Sequence, residues 1–315
     1  MNSRFVIISL ALQINLATMA QEVGFDFAGN TETIQVGDDA FPIVDYGSGK
    51  AIVLLHGFPD SKELWKYQIP ALAKAGYRII APDLRGVGNA PRPLETEKYA
   101  MPLLINDVIG IIDALGLEQV HLIGHDWGAA LSWQLVQYFP HRFYSLTALS
   151  VGYPGNSGWD SMEQREKSWY FYLFLQEGVA EKTISDYQWE FGKEMLKSHK
   201  DREEVLKRLQ QPHALTTALN WYRGNLQHML TQPDTEYPIV KEKLQREVKK
   251  VGVPVLGIWS DLDHALLEPQ MKHSSEHSKK FTYQKIEGAG HWMMLDKPIQ
   301  LNQLILDFLE NVTHD

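Results

Sequence analysis

Gly124-His125-Asp126-Trp127-Gly128 is the stretch on which the reading of this chain turns. Before it, Val120-His121-Leu122-Ile123 is short and apolar and predicts a buried strand. After it, residues 129–139 carry helical spacing that stops at Pro140. A strand, a G-x-X-x-G turn and a helix make a nucleophile elbow, a strained turn that lifts one side chain above the sheet. Gly124 and Gly128 have no Cβ and leave room for strand and helix to close on each other. The lifted residue is an aspartate, Asp126. A carboxylate there attacks an alkyl carbon and becomes an ester, which is not the acyl chemistry of serine. Ordinary esterase and lipase chemistry is excluded.

Working outward, apolar β-rich runs recur at 51–55, 77–81, 120–123, 145–150, 253–259 and 281–286, with helical patterns between them. That alternation predicts a parallel α/β sheet. Residues 34–36 and 40–46, separated by Gly37-Asp38-Asp39, predict an antiparallel hairpin at its start. The alternation breaks between Tyr153 and about Val251. Helical patterns rich in aromatics fill this stretch, among them Trp159, Trp169, Tyr170, Tyr172, Phe174, Tyr187, Trp221 and Tyr222. It stands between two core strands, so it reads as an insertion: a helical cap over 153–250, with a core of 21–152 and 251–315. A cap over the carboxyl ends of the strands would roof the crevice where ligands bind.

The chain has 315 residues, 44% hydrophobic and 22% charged, enough apolar material for a large core. Its net charge of −9 argues against a nucleic-acid partner or an anionic membrane surface. The mixed-sign run from Lys241 to Lys250 reads as a solvated helix face. Residues 1–20 read as an export signal: Arg4, an apolar stretch from Phe5 to Leu16, then Thr18-Met19-Ala20 before Gln21. The stretch is too short to span a bilayer, and a secreted or periplasmic protein with no membrane anchor is expected. There is no cysteine, hence no disulfide, thiol nucleophile, thiolate metal site or lipobox.

Other loops supply the remaining chemistry. His56-Gly57-Phe58-Pro59 follows the strand at 51–55, where the backbone N–H groups of Phe58 and Trp127 are candidates for an oxyanion hole. The alternative for this loop is a tight turn needing Gly and Pro, and His56 itself reads as structural. Gly288-Ala289-Gly290-His291-Trp292 follows the last strand and offers His291 as general base, in the chain order nucleophile, acid, histidine. His121, His125 and His264 read as ordinary hydrogen-bonding residues. The acid that orients His291 belongs after the strand at 253–259, where Asp261 and Asp263 both qualify and Asp263 has the better reach. His273-Ser274-Ser275-Glu276-His277 fits H-x-x-E-H, but no third ligand follows at a sensible spacing, so a solvated helix face is the better reading. No metal and no cofactor is expected. Asn311-Val312-Thr313 is a chance glycosylation sequon.

Taken together, these motifs resemble those of the α/β-hydrolase-fold epoxide hydrolases, over about Thr33 to Leu309. His56-Gly57-Phe58-Pro59 is similar to their H-G-x-P, Asp83-Leu84-Arg85-Gly86-Val87-Gly88 to D-x-R-G-x-G, Gly124–Gly128 to G-x-D-x-G, and Gly290-His291-Trp292 to G-H-W. The resemblance implies an α/β-hydrolase fold, a mostly parallel sheet flanked by helices with an inserted cap, and it puts the acid on Asp263. It also implies two cap tyrosines. One precedes a run like Q-x-P-G-x-x-E, here Tyr170 before Gln176-Glu177-Gly178-Val179-Ala180-Glu181; the other lies in Asn220-Trp221-Tyr222-Arg223. The first run lacks its proline and is displaced by one, which leaves Tyr172 as a rival to Tyr170. Asn89-Ala90 replaces the usual D-S, and Gly152-Tyr153-Pro154 replaces P-x-P where the chain enters the cap.

The implied partner is a small hydrophobic epoxide, opened to a diol through an ester on Asp126. An alkoxide is a poor leaving group and needs a proton, which two phenols supply at an ordinary pKa of ~10. The dehalogenases share the Asp126, Asp263 and His291 set, but a halide leaves without a proton. Phe58 stands where haloalkane dehalogenases often carry Asn, and Trp127 where fluoroacetate dehalogenases carry Arg. A non-catalytic ligand-binding protein on this fold would need no such set.

Overall fold

The computed structural model describes residues 25–154, 161–227 and 250–312. The proposed export signal, Trp159, Thr313 and nearly all of the Lys241–Lys250 run lie outside the described residues. Among the described residues no helix is long and apolar enough to cross a membrane.

Eight strands form one sheet: β1 (Thr31–Val36), β2 (Asp39–Gly47), β3 (Lys50–Leu55), β4 (Tyr77–Pro82), β5 (Val120–His125), β6 (Phe143–Leu149), β7 (Val251–Ser260) and β8 (Ser278–Ile286). Their order is β1-β2-β4-β3-β5-β6-β7-β8. β1 with β2 and β2 with β4 are antiparallel, and every other pair is parallel. The α/β sheet and its opening hairpin are those the apolar runs predict. Strand ends differ by a few residues, and for local reasons. β7 starts at Val251 because Val251 pairs with Ser278 across a register shift before Pro254, where Gly252 and Pro254 blur the apolar run.

Helices α1 (Gln68–Lys74), α2 (Met101–Ala114) and α3 (Trp127–Tyr138) lie between the successive strands from β3 to β6. Alternation along β3 shows how the core divides. Ile52 and Leu54 join one apolar cluster, while Ala51, Val53 and Leu55 join the other on the opposite face. Both faces of a parallel strand are thus covered, as its unbroken apolar run requires. Each fully buried Ile or Leu contributes about 1.5–3 kcal/mol.

Between β6 and β7 stand α4 (Met162–Lys167), α5 (Tyr170–Phe174), α6 (Val179–Met195), α7 (Arg202–Leu209) and α8 (Ala214–Leu226). Asp186–Trp189 interrupts α6, with positive φ at Tyr187, Gln188 and Trp189. Phe174, Leu196, Leu206 and Leu219 pack in the same cluster as Ile52 and Leu54, so this helical layer closes over one end of the sheet. After β7 come α9 (Glu268–His273), then α10 (Met293–Asp296) and α11 (Pro298–Asn311) following β8.

Candidate active site

β5 is buried along its whole length and carries the chain to the carboxyl edge of the sheet. Asp126 then takes φ 53° and ψ −123°, a conformation that a non-glycine residue keeps only where its surroundings enforce it. Its carbonyl accepts the N–H groups of Ala129 and Ala130 at 2.9 and 3.0 Å, so α3 begins at once. Gly128 makes this possible, since a Cβ there would strike the carbonyls of Leu55 and His56. Gly57 does the same from the facing loop, where a Cβ would run into the Asp126 carboxyl group.

That close approach brings the Phe58 N–H to Asp126 Oδ1 at 2.7 Å. Trp127 opens α3, and its amide is one of the donors a helix start leaves without an internal acceptor. His56, the first residue of the loop, is structural in this arrangement. Its Nε2 accepts the Leu84 N–H at 3.0 Å, leaving the Nδ1 proton for the Gly57 carbonyl, also at 3.0 Å. It ties the 56–59 loop to the 83–88 loop, and burial holds it neutral by lowering its pKa.

His291 Nδ1 lies 3.2 and 3.0 Å from the two oxygens of Asp263. Its Nε2 lies 3.6 Å from Asp126 Oδ2, an ion-pair separation longer than a hydrogen bond. Burial alone would disfavour the imidazolium, but Asp263 and Asp126 outweigh it and push the His291 pKa up to about 10. Asp263 is buried, yet His291 and the N–H groups of Ala265 and Leu266 hold its pKa well below the usual carboxylate range. The structure therefore brings Asp263 to His291. Asp261 is exposed and accepts the Gly288 N–H instead, at 2.7 Å. His125 anchors the His291 backbone, its Nε2 sitting 2.9 Å from the His291 carbonyl, and burial with the nearby His291 lowers its pKa to about 4.

Tyr170 and Tyr222 enter from the helical layer, with their rings edge to face and centroids 6.2 Å apart. Burial raises both phenols well above their ordinary pKa, and the Asp126 charge adds to the rise, so both keep their protons. With Asp126 and His291 they line a cavity of about 530 Å³, whose walls include Phe58, Trp169, Phe174, Phe191 and Trp292. Tyr172 is half exposed and does not line it.

The run Asn220–Arg223 shows residue by residue how Tyr222 is held. Asn220 donates to the Leu94 carbonyl at 3.0 Å, and the Trp221 indole N–H donates to the Arg85 carbonyl at 2.9 Å. Arg223 donates to both oxygens of Glu181 at 2.7 and 2.9 Å and to the Phe174 carbonyl at 3.0 Å. The 83–88 loop is thus a seat for α8, and Glu181 ties α6 to the helix that carries Tyr222. Lys167, which the sequence did not single out, donates to the Asp263 carbonyl at 2.9 Å from the cavity wall.

The two imidazoles of the H-x-x-E-H run approach each other at Nε2, 3.3 Å apart, on α9 and the short turn after it, and neither lines the cavity. His121 meets Ser145 Oγ at 2.8 Å. His264 stands on the cavity wall beside His291 and Trp292, and desolvation with the nearby His291 lowers its pKa to about 4. Among the described residues no group of three or more His, Cys, Asp or Glu side chains could hold a metal ion.

A mostly parallel sheet, an aspartate lifted at positive φ after β5, and a histidine–aspartate pair on the loops after β7 and β8 define an α/β protein whose polar site gathers at the carboxyl edge of the sheet. The family described as alpha/beta hydrolase fold matches residues 50–298. The chain belongs to that family. It is 29% identical over 292 residues to the bifunctional epoxide hydrolase 2 of Sus scrofa, a match covering 85% of this chain and 52% of that protein. It is 31% identical over 274 residues to the AB hydrolase superfamily protein YfhM of Bacillus subtilis, covering 84% of this chain and 91% of that one. The crystal structure of epoxide hydrolase VrEH1 from Vigna radiata superposes with a TM-score of 0.74 at 25% identity, covering 90% of this chain and 99% of that one. The chain spans about half the length of the pig, rat and mouse relatives it matches.

Proposed function

We propose that this protein is an epoxide hydrolase acting on small hydrophobic epoxides. The observation that carries the reading is the pair of protonated phenols, Tyr170 and Tyr222, that line one cavity with Asp126. A leaving alkoxide needs such donors and a leaving halide does not. The names of several relatives, epoxide hydrolases from pig, Vigna radiata and Mycobacterium tuberculosis among them, support the same reading.

In this mechanism Asp126 Oδ2 attacks the less hindered epoxide carbon from behind. The carbon–oxygen bond breaks, and a Tyr170 or Tyr222 proton goes to the released oxygen. The product is a hydroxyalkyl ester of Asp126 whose carbonyl oxygen, Oδ1, stays on the Phe58 N–H. His291, held by Asp263, then takes a proton from water as that water attacks the ester carbonyl carbon. Phe58 and Trp127 N–H groups stabilise the oxyanion on Oδ1. The tetrahedral species collapses by breaking the bond from the carbonyl carbon to Oδ2, and the second water proton passes from the new carboxyl group to Oδ2, so the diol leaves carrying Oδ2. The proton on His291 restores the phenol, and the balance is one epoxide plus one water to one diol.

A single turnover of styrene oxide in heavy-oxygen water, with enzyme in excess, tests this. The new diol oxygen should come unlabelled from Asp126, while the Asp126 carboxylate takes up label. Labelled diol in that first turnover means direct hydration and rejects the mechanism. Halide release from matched haloalkanes without diol formation from epoxides would move the assignment to a dehalogenase.

The reading includes export. Residues 1–20 act as the signal, so protein recovered from its native host should begin near Gln21, and recovery of an intact Met1 terminus would reject it.

A further inference from the structure

The turn between α6 and α7 docks onto the core with three consecutive side chains. His199 Nε2 lies 2.9 Å from Asp60 Oδ1, Lys200 Nζ lies 2.8 Å from the Leu295 carbonyl, and Asp201 meets Lys66 Nζ at 2.6 Å. The first contact is fully buried, with the His199 and Asp60 side chains 1% and 2% exposed. Its proton is fixed by geometry. The Asp201 N–H donates to His199 Nδ1 at 3.0 Å, so a neutral ring has its one proton on Nε2, aimed at Asp60. The other carboxylate oxygen, Asp60 Oδ2, accepts the Trp292 indole N–H at 2.8 Å. Among the described residues no lysine or arginine forms an ion pair with Asp60, so the His199 and Trp292 N–H groups are its side-chain donors, with the Arg208 charge acting from farther away.

Both ends of this bridge reach the reacting groups. Asp60 stands two residues beyond Phe58, and its own N–H closes a turn on the Gly57 carbonyl at 2.9 Å. That turn aims the Phe58 N–H at Asp126. Trp292 follows His291 and meets its ring edge-on at 5.3 Å, while its other side meets the His199 ring at 4.6 Å. We propose that His199 is a positioning residue: its Nε2 proton, carried by the helical layer, fixes Asp60 and Trp292 and so sets the geometry of ester hydrolysis. The proposal rests on the reading of Asp126 as the alkylated nucleophile.

The two half-reactions should respond differently. In alkylation the Asp126 carboxylate loses charge, so a donor on Oδ1 stabilises the ground state at least as well as the transition state. Loosening the Phe58 turn costs that step little. In hydrolysis charge returns to Oδ1 while His291 must meet a water, and both depend on the bridge.

The test compares wild type with His199→Leu, which fills the space without a donor, and His199→Gln, which returns an N–H donor. Rapid-quench single turnovers on styrene oxide separate ester formation from ester breakdown, and thermal melts check folding. His199→Leu should slow breakdown by about tenfold or more, accumulate the Asp126 ester, and leave its formation within about threefold of wild type, with most of the loss recovered in His199→Gln. Unchanged breakdown in His199→Leu overturns the proposal, and so does an equal loss in both steps. Should His199→Leu fail to fold, Trp292→Phe cuts the bridge at its other end and must show the same selective loss. The two readings fail in different ways. If wild type forms no ester, the epoxide reading falls, and the bridge is judged by the Trp292 indole N–H resonance. That resonance should move in His199→Leu and return in His199→Gln; a resonance that stays fixed overturns the bridge.

Discussion

Replacing Asp126 by Asn tests the electrostatics of the site without touching its shape. In the proposed mechanism His291 is the base for hydrolysis, yet next to two carboxylates its pKa stands at about 10, so the resting imidazole is protonated at neutral pH. Alkylation removes one of those charges. At 3.6 Å a unit charge on Asp126 acts on the imidazolium with about 4–5 kcal/mol at an effective dielectric of about 20, which is roughly three pKa units. In the ester form His291 should therefore titrate near 7, where a base is useful. Asp126→Asn mimics that form. Its oxygen keeps the Phe58 N–H, and its NH₂ then faces His291 Nε2, which further favours the neutral ring. Ring carbon–proton NMR across pH 5.5–11, with His291→Gln to assign the signal among twelve histidines, should show the His291 pKa falling from about 10 to about 7. A fall of less than about one unit would mean that Asp263 alone sets the base, and the switching argument would fail. Stability should follow. Because the folded pKa lies above the unfolded one, the His291 contribution is fully present below about pH 6.5 and is lost as pH rises through about 10. In Asp126→Asn that contribution should be smaller and lost by about pH 7.

Three further substitutions probe the rest of the site. Tyr222→Phe should slow ester formation by about 100-fold or less, because Tyr170 still donates, whereas the double Phe variant should lose most activity; full activity in both would remove the main support for an epoxide over a halide substrate. Gly57→Ala puts a Cβ against the Asp126 carboxyl group, so ester formation should fall by about 100-fold or more with the melting temperature nearly kept, and wild-type rates would contradict the packing. Arg223→Leu leaves Glu181 without its partner and should destabilise the fold by about 3 kcal/mol in urea titrations, with the loss in Tyr222-dependent ester formation exceeding that in binding; a change under about 0.5 kcal/mol would show that the pair is not holding α8.

The sheet was legible because its strands are buried on both faces, and burial writes itself into sequence as apolar runs such as Ile52–Leu55. The elbow was legible for a steric reason: only glycine fits at position 128 against the Leu55 and His56 carbonyls. Choosing Asp263 over Asp261 was harder, since two acids two residues apart differ only in how one turn points them. The ladder from β7 to β8 settles where that turn begins, and the Asp263 N–H then bonds back to the Ser260 carbonyl at 3.2 Å. The break in α6 at Asp186–Trp189 had no signal, for neither Gly nor Pro stands there.

The hydrogen bonds that seat the helical layer were illegible for a different reason. Trp221, Asn220 and Arg223 donate to the carbonyls of Arg85, Leu94 and Phe174, and a backbone carbonyl is the same at every position of a chain. Motif likeness could mark the donors, but it could not name their acceptors. The Asp60 bridge joins residues 139 and 232 positions apart, with nothing local to mark His199 among twelve histidines. Yet the charge at Asp60 gives a reason to look. A buried carboxylate without an ion-paired lysine or arginine must find N–H donors or take up a proton. The donors it finds are a ring from the helical layer and the indole beside His291. The loop that holds Asp126 and the seating of the layer that supplies Tyr170 and Tyr222 therefore meet at one carboxylate, two residues beyond the N–H that rests on Asp126 Oδ1.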